Sequence, residues 1–361
     1  MFRWITWLIW LLPTSLFAAQ MDVDALKESA NQGNLRAQRF LGQFYLHGEQ
    51  GLPKDPKQAG LWLEKAAHGG DGVAMSLFGY LMSQGLGRPV DHKMAVQWYR
   101  RAAQQGQTRA VTALALKYAQ GLGVDKDLQQ AIKLLRQAAD QGESSAQYHL
   151  AGHIARGEGV PRDGARAAQW YTRAAQQGSV RSAWALGHML EQGQGIQADP
   201  ASARLWYQQA AEGGHVEAQY QLALMWEEGR GGAKDATQAV AWYEQAVQGH
   251  HVRSMVNLGY LVAHGLGVRR DAARAVDLYT QAAQGGSATA MYNLGVRFSR
   301  GDGVEQDLVH AYKWFHLAWQ YRHAGADQAR EQVAVHLKAV QIAQARQKAA
   351  VWLKTHDLLR K

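Results

Sequence analysis

The chain of 361 residues contains no cysteine. This absence excludes disulfides, thiolate zinc sites, a cysteine nucleophile and lipid attachment through sulfur. Charge is also sparse, because only 19% of the residues are charged, the net charge is +9, and the basic residues form no continuous run. The sequence therefore lacks the basic patch that is typical of nucleic-acid binding, and we expect no nucleic acid partner.

Long apolar runs are missing except at the N-terminus. There, Arg3 precedes an almost wholly apolar stretch over residues 4–12, which is followed by Pro13 and by Ala18 and Ala19. The pattern is that of a secretory signal peptide, and the stretch is shorter than the about 20 residues that span a bilayer. We predict a cleaved signal peptide at 1–19 and a periplasmic protein without an integral membrane segment. The alternatives are an uncleaved anchor, because Phe17 suits the cleavage site poorly, and secretion.

A Trp-Tyr-x-x-Ala-Ala motif recurs along the chain at steps of 36 residues without a slip in register. Its first position is occupied by Trp62, Trp98, Leu134, Trp170, Trp206, Trp242, Leu278 and Trp314. A second motif, small-x-x-x-Leu-Gly/Ala, precedes each of these positions, and only its first copy is displaced by one residue. A fixed period of this length predicts a repeat protein.

Each period resolves into two helices. In the first, Ala146, Leu150 and Ile154 form one apolar stripe, and in the second Ala167 and Tyr171 do so. A Gly-x-Gly turn joins the two, and an Asp at the N-cap position follows it. The predicted fold class is all-α: a right-handed α/α superhelical solenoid of about eight helix pairs, in which the Trp fills the gap to the next pair.

The two ends depart from the period in ways that indicate caps. We predict an N-terminal capping helix within 20–36, the repeat solenoid at 37–321, and C-terminal capping helices within 322–361. Terminal helices with one polar face close the exposed ends of a repeat stack.

The combined pattern resembles the Sel1-like repeat family, a relative of the tetratricopeptide repeat, over residues 26–321. The resemblance implies an α/α superhelix that binds other proteins as an adaptor or scaffold, commonly in bacterial envelopes or at host-cell contacts. It implies neither an enzymatic activity nor a cofactor. We therefore expect a protein or peptide partner.

Chemistry-bearing motifs are weak. His149 and His153 stand four residues apart, which is metal-ligand spacing, but no third ligand accompanies them, so we expect no metal site. No paired carboxylates stand out as an acid and a base. The alternative function is an enzyme that acts on cell-wall fragments or β-lactam-like ligands. A cleft that holds two convergent groups with shifted pKa values would indicate it.

Candidate binding residues lie where the first helix of each pair does not need them for packing. Counting from its small residue as position 0, positions +2, +3 and +6 are expected to line the concave surface. They carry aromatic, amide and imidazole side chains: Tyr80, Tyr148, His149, Trp184, His188, Tyr220, Gln221, Asn257, Tyr260, Tyr292 and Asn293. Such groups suit an extended peptide, although the +2 aromatics have packing between repeats as an alternative role. Because Ser76 and Thr112 occupy +2 in early repeats, we expect the site in the middle and later ones.

Overall fold

A computed structural model describes residues 22–357. Within this range every regular element is an α-helix, and no residue forms a strand. Each repeat supplies two helices of 13 residues, which we call the A-helix and the B-helix in chain order. The predicted all-α array of helix pairs is confirmed.

The chain divides into two compact units, one ending at Asp163 and the other beginning at Gly164. In unit 1, α1 is the N-terminal helix, the A-helices are α2, α4, α6 and α8, and the B-helices are α3, α5 and α7. Their bounds are Val23–Asn31 (α1), Leu35–His47 (α2), Pro56–His68 (α3), Gly72–Gln84 (α4), His92–Gln104 (α5), Thr108–Gln120 (α6), Leu128–Asp140 (α7) and Ser144–Arg156 (α8).

In unit 2 the B-helices are α9, α11, α13, α15 and α17, the A-helices are α10, α12, α14 and α16, and α18 and α19 follow the last repeat. Their bounds are Gly164–Gln176 (α9), Val180–Gln192 (α10), Pro200–Glu212 (α11), Val216–Glu228 (α12), Ala236–Gln248 (α13), Val252–His264 (α14), Ala272–Gln284 (α15), Ala288–Arg300 (α16), Leu308–Gln320 (α17), Ala326–Ala334 (α18) and Ala339–Asp357 (α19).

Local signals begin and end the helices as their sequences predict. The Asp91 carboxylate accepts a hydrogen bond from the Met94 amide at 2.9 Å, and Asp127 caps α7 through Gln130 at the same distance. Gly85 ends α4 with a φ of 68°, a left-handed conformation that favours glycine. Each repeat therefore carries its own start and stop signals.

The core of each unit forms where an A-helix and the following B-helix approach through small residues. A Cβ atom on Gly187 would lie 2.9 Å from Cδ1 of Tyr207, and one on Gly259 would lie 2.7 Å from Cε1 of Tyr279. The Tyr207, Tyr243 and Tyr279 side chains are fully buried. The Gly of the Leu-Gly/Ala motif in these repeats thus makes room for an aromatic ring of the B-helix, and in the first repeat Gly42 makes room for Leu63.

The repeat tryptophan was expected to fill the gap to the next pair, and its burial differs between repeats. Trp98 and Trp314 are buried, whereas Trp206 and Trp242 are only half-buried. The following tyrosine takes the deep position because it points to the A-helix, one helical step of about 100° from the tryptophan. The tryptophan lies at the edge of the core, where a cation can cover it: the Arg173 guanidinium lies 4.6 Å from the Trp170 ring centroid.

The helices outside the repeats lie in the segments that were expected to cap the array. Helix α1 packs against α2, and α18 and α19 both pack against α17. The predicted signal peptide at 1–19 lies outside the described residues. None of the described helices combines the length and the apolar character needed to cross a membrane.

Adjacent residues in α11 should differ in their contribution to stability. We expect Tyr207→Ala to lower the free energy of unfolding by ~3–5 kcal/mol, the range for truncating a buried large side chain, and Trp206→Ala to lower it by less. Denaturant titration of both variants measures this difference. Hydrogen exchange should rise mainly in α10 to α12, because repeats contact only their neighbours. An equal loss in the two variants, or a rise spread evenly over unit 2, would contradict this account.

Candidate binding surface

The predicted residues at +2 in unit 2 pack against histidines. The Trp184 ring lies 5.2 Å from His215, and the Tyr220 ring lies 4.6 Å from His251. Tyr292 repeats the arrangement with His323 at 4.4 Å. In each pair the histidine is 31 residues after the aromatic residue, close to the start of the following helix. Position +2 therefore contacts the next repeat.

Two of these histidines cap the helices that follow them. Nδ1 of His215 accepts a hydrogen bond from the Ala218 amide at 3.1 Å, and Nδ1 of His251 accepts one from Ser254 at 3.2 Å. Burial lowers the pKa of both imidazoles, although the nearby Glu217 carboxylate opposes the shift. A proton on Nδ1 would remove the cap and place a positive charge at a helix N-terminus, where the helix dipole disfavours it.

The predicted amides at +3 differ in their surroundings. Asn257 donates through Nδ2 to the Tyr243 hydroxyl at 2.9 Å, and that hydroxyl donates to Glu227 at 2.7 Å. Gln221 makes a long contact of 3.4 Å with Glu217, and Asn293 forms no hydrogen bond with a described residue. Asn257 thus belongs to a polar network that holds a buried tyrosine, whereas the half-buried Asn293 belongs to no such network.

The residues at +6 lie outermost on the A-helices. Tyr80 is 46% exposed and Tyr260 is 48% exposed, and the Tyr260 ring lies 4.3 Å from His264. His188 stacks on Trp184 at 5.7 Å. Two aromatic side chains, one in each unit, are therefore presented to solvent.

The remaining predicted residues, Tyr148 and His149, lie in α8 with their rings edge to face at 5.1 Å. His153, which sequence spacing paired with His149, instead lies 3.3 Å from Glu158 through Nδ1. Over residues 22–357 no three His, Asp or Glu side chains are grouped so that they could hold a metal ion.

An open groove lies on the A-helix side of unit 1, where position +2 is occupied by the small Ser76 and Thr112. Its volume is ≈ 450 Å³. The lining combines amides, two apolar side chains and an arginine: Gln43, Val73, Ser76, Leu77, Gly106, Gln107, Thr108, Arg109, Gln141, Gly142 and Glu143. We call this the unit 1 groove. Sequence analysis missed it because small +2 residues were taken as a lack of binding groups, whereas the small Ser76 is part of the groove lining.

The groove offers hydrogen-bonding groups and one uncompensated charge. Arg109 is exposed, and no described carboxylate forms an ion pair with it. The Glu143 carboxylate already has two partners. It caps α8 by accepting a hydrogen bond from the Ala146 amide, and it accepts another of 2.8 Å from the Thr112 hydroxyl. The arrangement suits recognition of a polar backbone more than proton transfer.

A second polar cluster, in unit 2, is partly buried. The Tyr207 hydroxyl donates to Glu191 at 2.8 Å, and the Arg230 guanidinium pairs with the same carboxylate. Burial and the bond to Glu191 raise the pKa of Tyr207. The cluster pairs its charges internally, as buried ions require.

We expect the capping histidines to make the stability of unit 2 depend on pH. Folding lowers the pKa of both histidines below the unfolded value of ~6.5. Their contribution to the free energy of unfolding is therefore complete above about pH 6.5 and is lost as the pH falls through the folded pKa. Urea titrations at pH 7.5 and 5.0 measure this loss. In two other A-helices, α10 and α16, the same N-cap position is occupied by a serine, Ser179 and Ser287 respectively.

The double variant His215→Ser/His251→Ser therefore serves as the matched control, because it keeps a capping oxygen and removes the titration. We expect it to lose less stability than the native protein between the two pH values. An identical loss in both proteins would show that other groups cause the acid sensitivity.

Comparison with known proteins adds a family match. The model of the Sel1 repeat matches residues 35–71, 72–107, 108–143, 144–179, 180–215, 216–251, 252–287 and 288–318. The repeat family suggested by the sequence is thereby confirmed. No curated protein matches the chain.

Solved structures are also similar. A Sel1 repeat protein from Oxalobacter formigenes is 28% identical, with a TM-score of 0.61, covering 86% of this chain and 90% of that one. A protective antigen of uropathogenic Escherichia coli with an SLR fold is 27% identical, with a TM-score of 0.40, covering 92% of this chain and 87% of that one.

Proposed function

Because the chain belongs to the Sel1 repeat family, whose solenoids typically bind proteins, we propose that it is a scaffold that holds an extended segment of another protein in the unit 1 groove. The observation that carries the proposal is the groove itself, a gap of ≈ 450 Å³ with the small Ser76 of position +2 in its lining. Its volume falls within the usual range of ligand sites, which is ~300–1,000 Å³.

The lining of the groove matches an extended peptide. Gln107 and Gln141 supply both donors and acceptors for backbone amides, and Val73 and Leu77 supply an apolar floor for side chains. Arg109 favours a segment with an acidic residue near the groove, because its guanidinium has no carboxylate partner within the described chain.

The predicted residues that remain accessible are proposed as further contacts. Tyr80 in unit 1 and Tyr260 in unit 2 are exposed on their A-helices, and Asn293 in unit 2 is half-buried with no hydrogen bond to a described residue. Exposed tyrosines are common anchors of protein interfaces. We do not include Asn257, because its amide holds the Tyr243 hydroxyl.

Filling the groove should abolish binding without loss of stability. Ser76→Tyr introduces at +2 the ring that unit 2 carries at this position, and we expect partner affinity to fall at least tenfold while the melting temperature stays unchanged. The matched control, Thr237→Tyr, places the same ring at an exposed position of α13 and should retain affinity. Capture from an envelope extract with mass spectrometry first identifies the partner, and titration calorimetry then compares the variants.

Native affinity in a folded Ser76→Tyr protein would overturn the groove as the site. Two further variants, Tyr260→Ala and Asn293→Ala, then show whether the A-helix surface of unit 2 binds the partner instead.

We also propose that the scaffold is exported and acts in the periplasm, with secretion as the alternative. The support is the N-terminal sequence, in which a short apolar stretch ends in Ala18 and Ala19. N-terminal sequencing of protein from a periplasmic fraction should give a chain that begins after residue 18 or 19. An intact Met1 on membrane-bound protein would contradict cleavage and favour an anchor.

A further inference from the structure

A pocket lies between α17, the last B-helix, and α19 near the end of the chain. Its volume is ≈ 350 Å³. The side chains around it are basic, aromatic, amide and aliphatic: His310, Lys313, Gln347, Lys348, Val351, Trp352, Thr355 and His356. We call this the cap pocket, and no carboxylate is among its lining residues.

Two lysines supply positive charge without a counter-ion. Neither Lys313 nor Lys348 has a carboxylate within 4.0 Å among the side chains that the structure describes. The nearby Asp307 carboxylate is bound to Nδ1 of His310 instead. Nε2 of the same ring lies 3.5 Å from the Lys348 Nζ, so His310 positions that ammonium at the pocket.

Lys313 is partly withdrawn from water. Its Nζ lies 4.2 Å from the Trp314 ring centroid. Burial lowers the pKa of Lys313, and the neighbouring charge of Lys348 lowers it further. Two cations that share a partly desolvated site repel each other, and a bound anion would relieve that cost.

The rest of the pocket combines an aromatic wall and an aliphatic rim with one free amide. The rings of Trp352 and His356 stack at 4.1 Å to form a wall, and Val351 is 59% exposed at the rim. The Gln347 amide is exposed and makes no hydrogen bond with a described residue. A bare inorganic ion would not use the wall.

We propose that the cap pocket binds the C-terminal carboxylate of a peptide whose last side chain is apolar. The carboxylate lies between the Lys313 and Lys348 ammonium groups, the last side chain contacts Val351 and Trp352, and the Gln347 amide bonds the peptide backbone. The pocket is in unit 2, so this site is independent of the unit 1 groove.

Titration calorimetry of the full chain with N-acetyl-Ala-Ala-Leu tests the assignment. We expect the free acid to bind at least tenfold more tightly than the same peptide with a C-terminal amide. Acetate and inorganic phosphate, each at the peptide concentration, should not displace it. Equal binding of acid and amide, or displacement by either small anion, would overturn the proposal.

Two variants locate the binding. Lys313→Gln/Lys348→Gln removes both charges, and Val351→Glu places a carboxylate at an exposed position of the rim, where it leaves the core intact. Each should weaken binding of the free acid at least tenfold. The control Lys93→Gln/Lys133→Gln makes the same change in net charge at exposed sites of unit 1 and should bind like the native protein. Native affinity in a folded Val351→Glu protein, or a tenfold loss in the control, would place the peptide elsewhere.

Discussion

Within each unit, the close approach of an A-helix to the B-helix that follows it is the constraint on which the rest of the structure depends. The approach requires small residues, and a Cβ on Gly295 would lie only 2.6 Å from the ring of Phe315. In most repeats an aromatic ring of the B-helix fits against the small residue and is buried, as Tyr207 is, and in the first repeat Leu63 fits against Gly42. Because the contact uses only residues within a pair, it can repeat every 36 residues with the same geometry.

This constraint also determines which positions remain free for binding. The small residues and the buried rings occupy one side of each A-helix, so variation is possible at +2, +3 and +6. At +2 a large ring such as Trp184 contacts the next repeat, whereas Ser76 leaves the space open. A binding groove can therefore arise in a regular array through the loss of a side chain rather than the gain of one.

Periodicity was enough to predict the helix pairs, their caps and the buried faces, because each depends on residues within one repeat. The depth of individual side chains was not predictable, since the rotation of a B-helix toward its partner decides whether Trp206 or Tyr207 is buried. The role of Asn257 was likewise hidden, because its partner, the Tyr243 hydroxyl, lies on the preceding helix and is reached only in three dimensions. A spacing identifies a face of a helix, but it does not identify what that face contacts.

Departures from the repeat are more informative about binding than the repeat itself. Among the positions in register with Lys313 only Lys133 is a cation, and the others are Leu61, Gln97, Gln169, Leu205, Ala241 and Asp277, so the repeat does not require a cation there. It occurs in α17, which is covered by α19 instead of another repeat, and Lys348 of α19 adds a second cation beside it. A stack needs only a polar surface to end. Two neighbouring cations beside an aromatic wall are not needed to end the stack, so packing does not explain why both lysines are there.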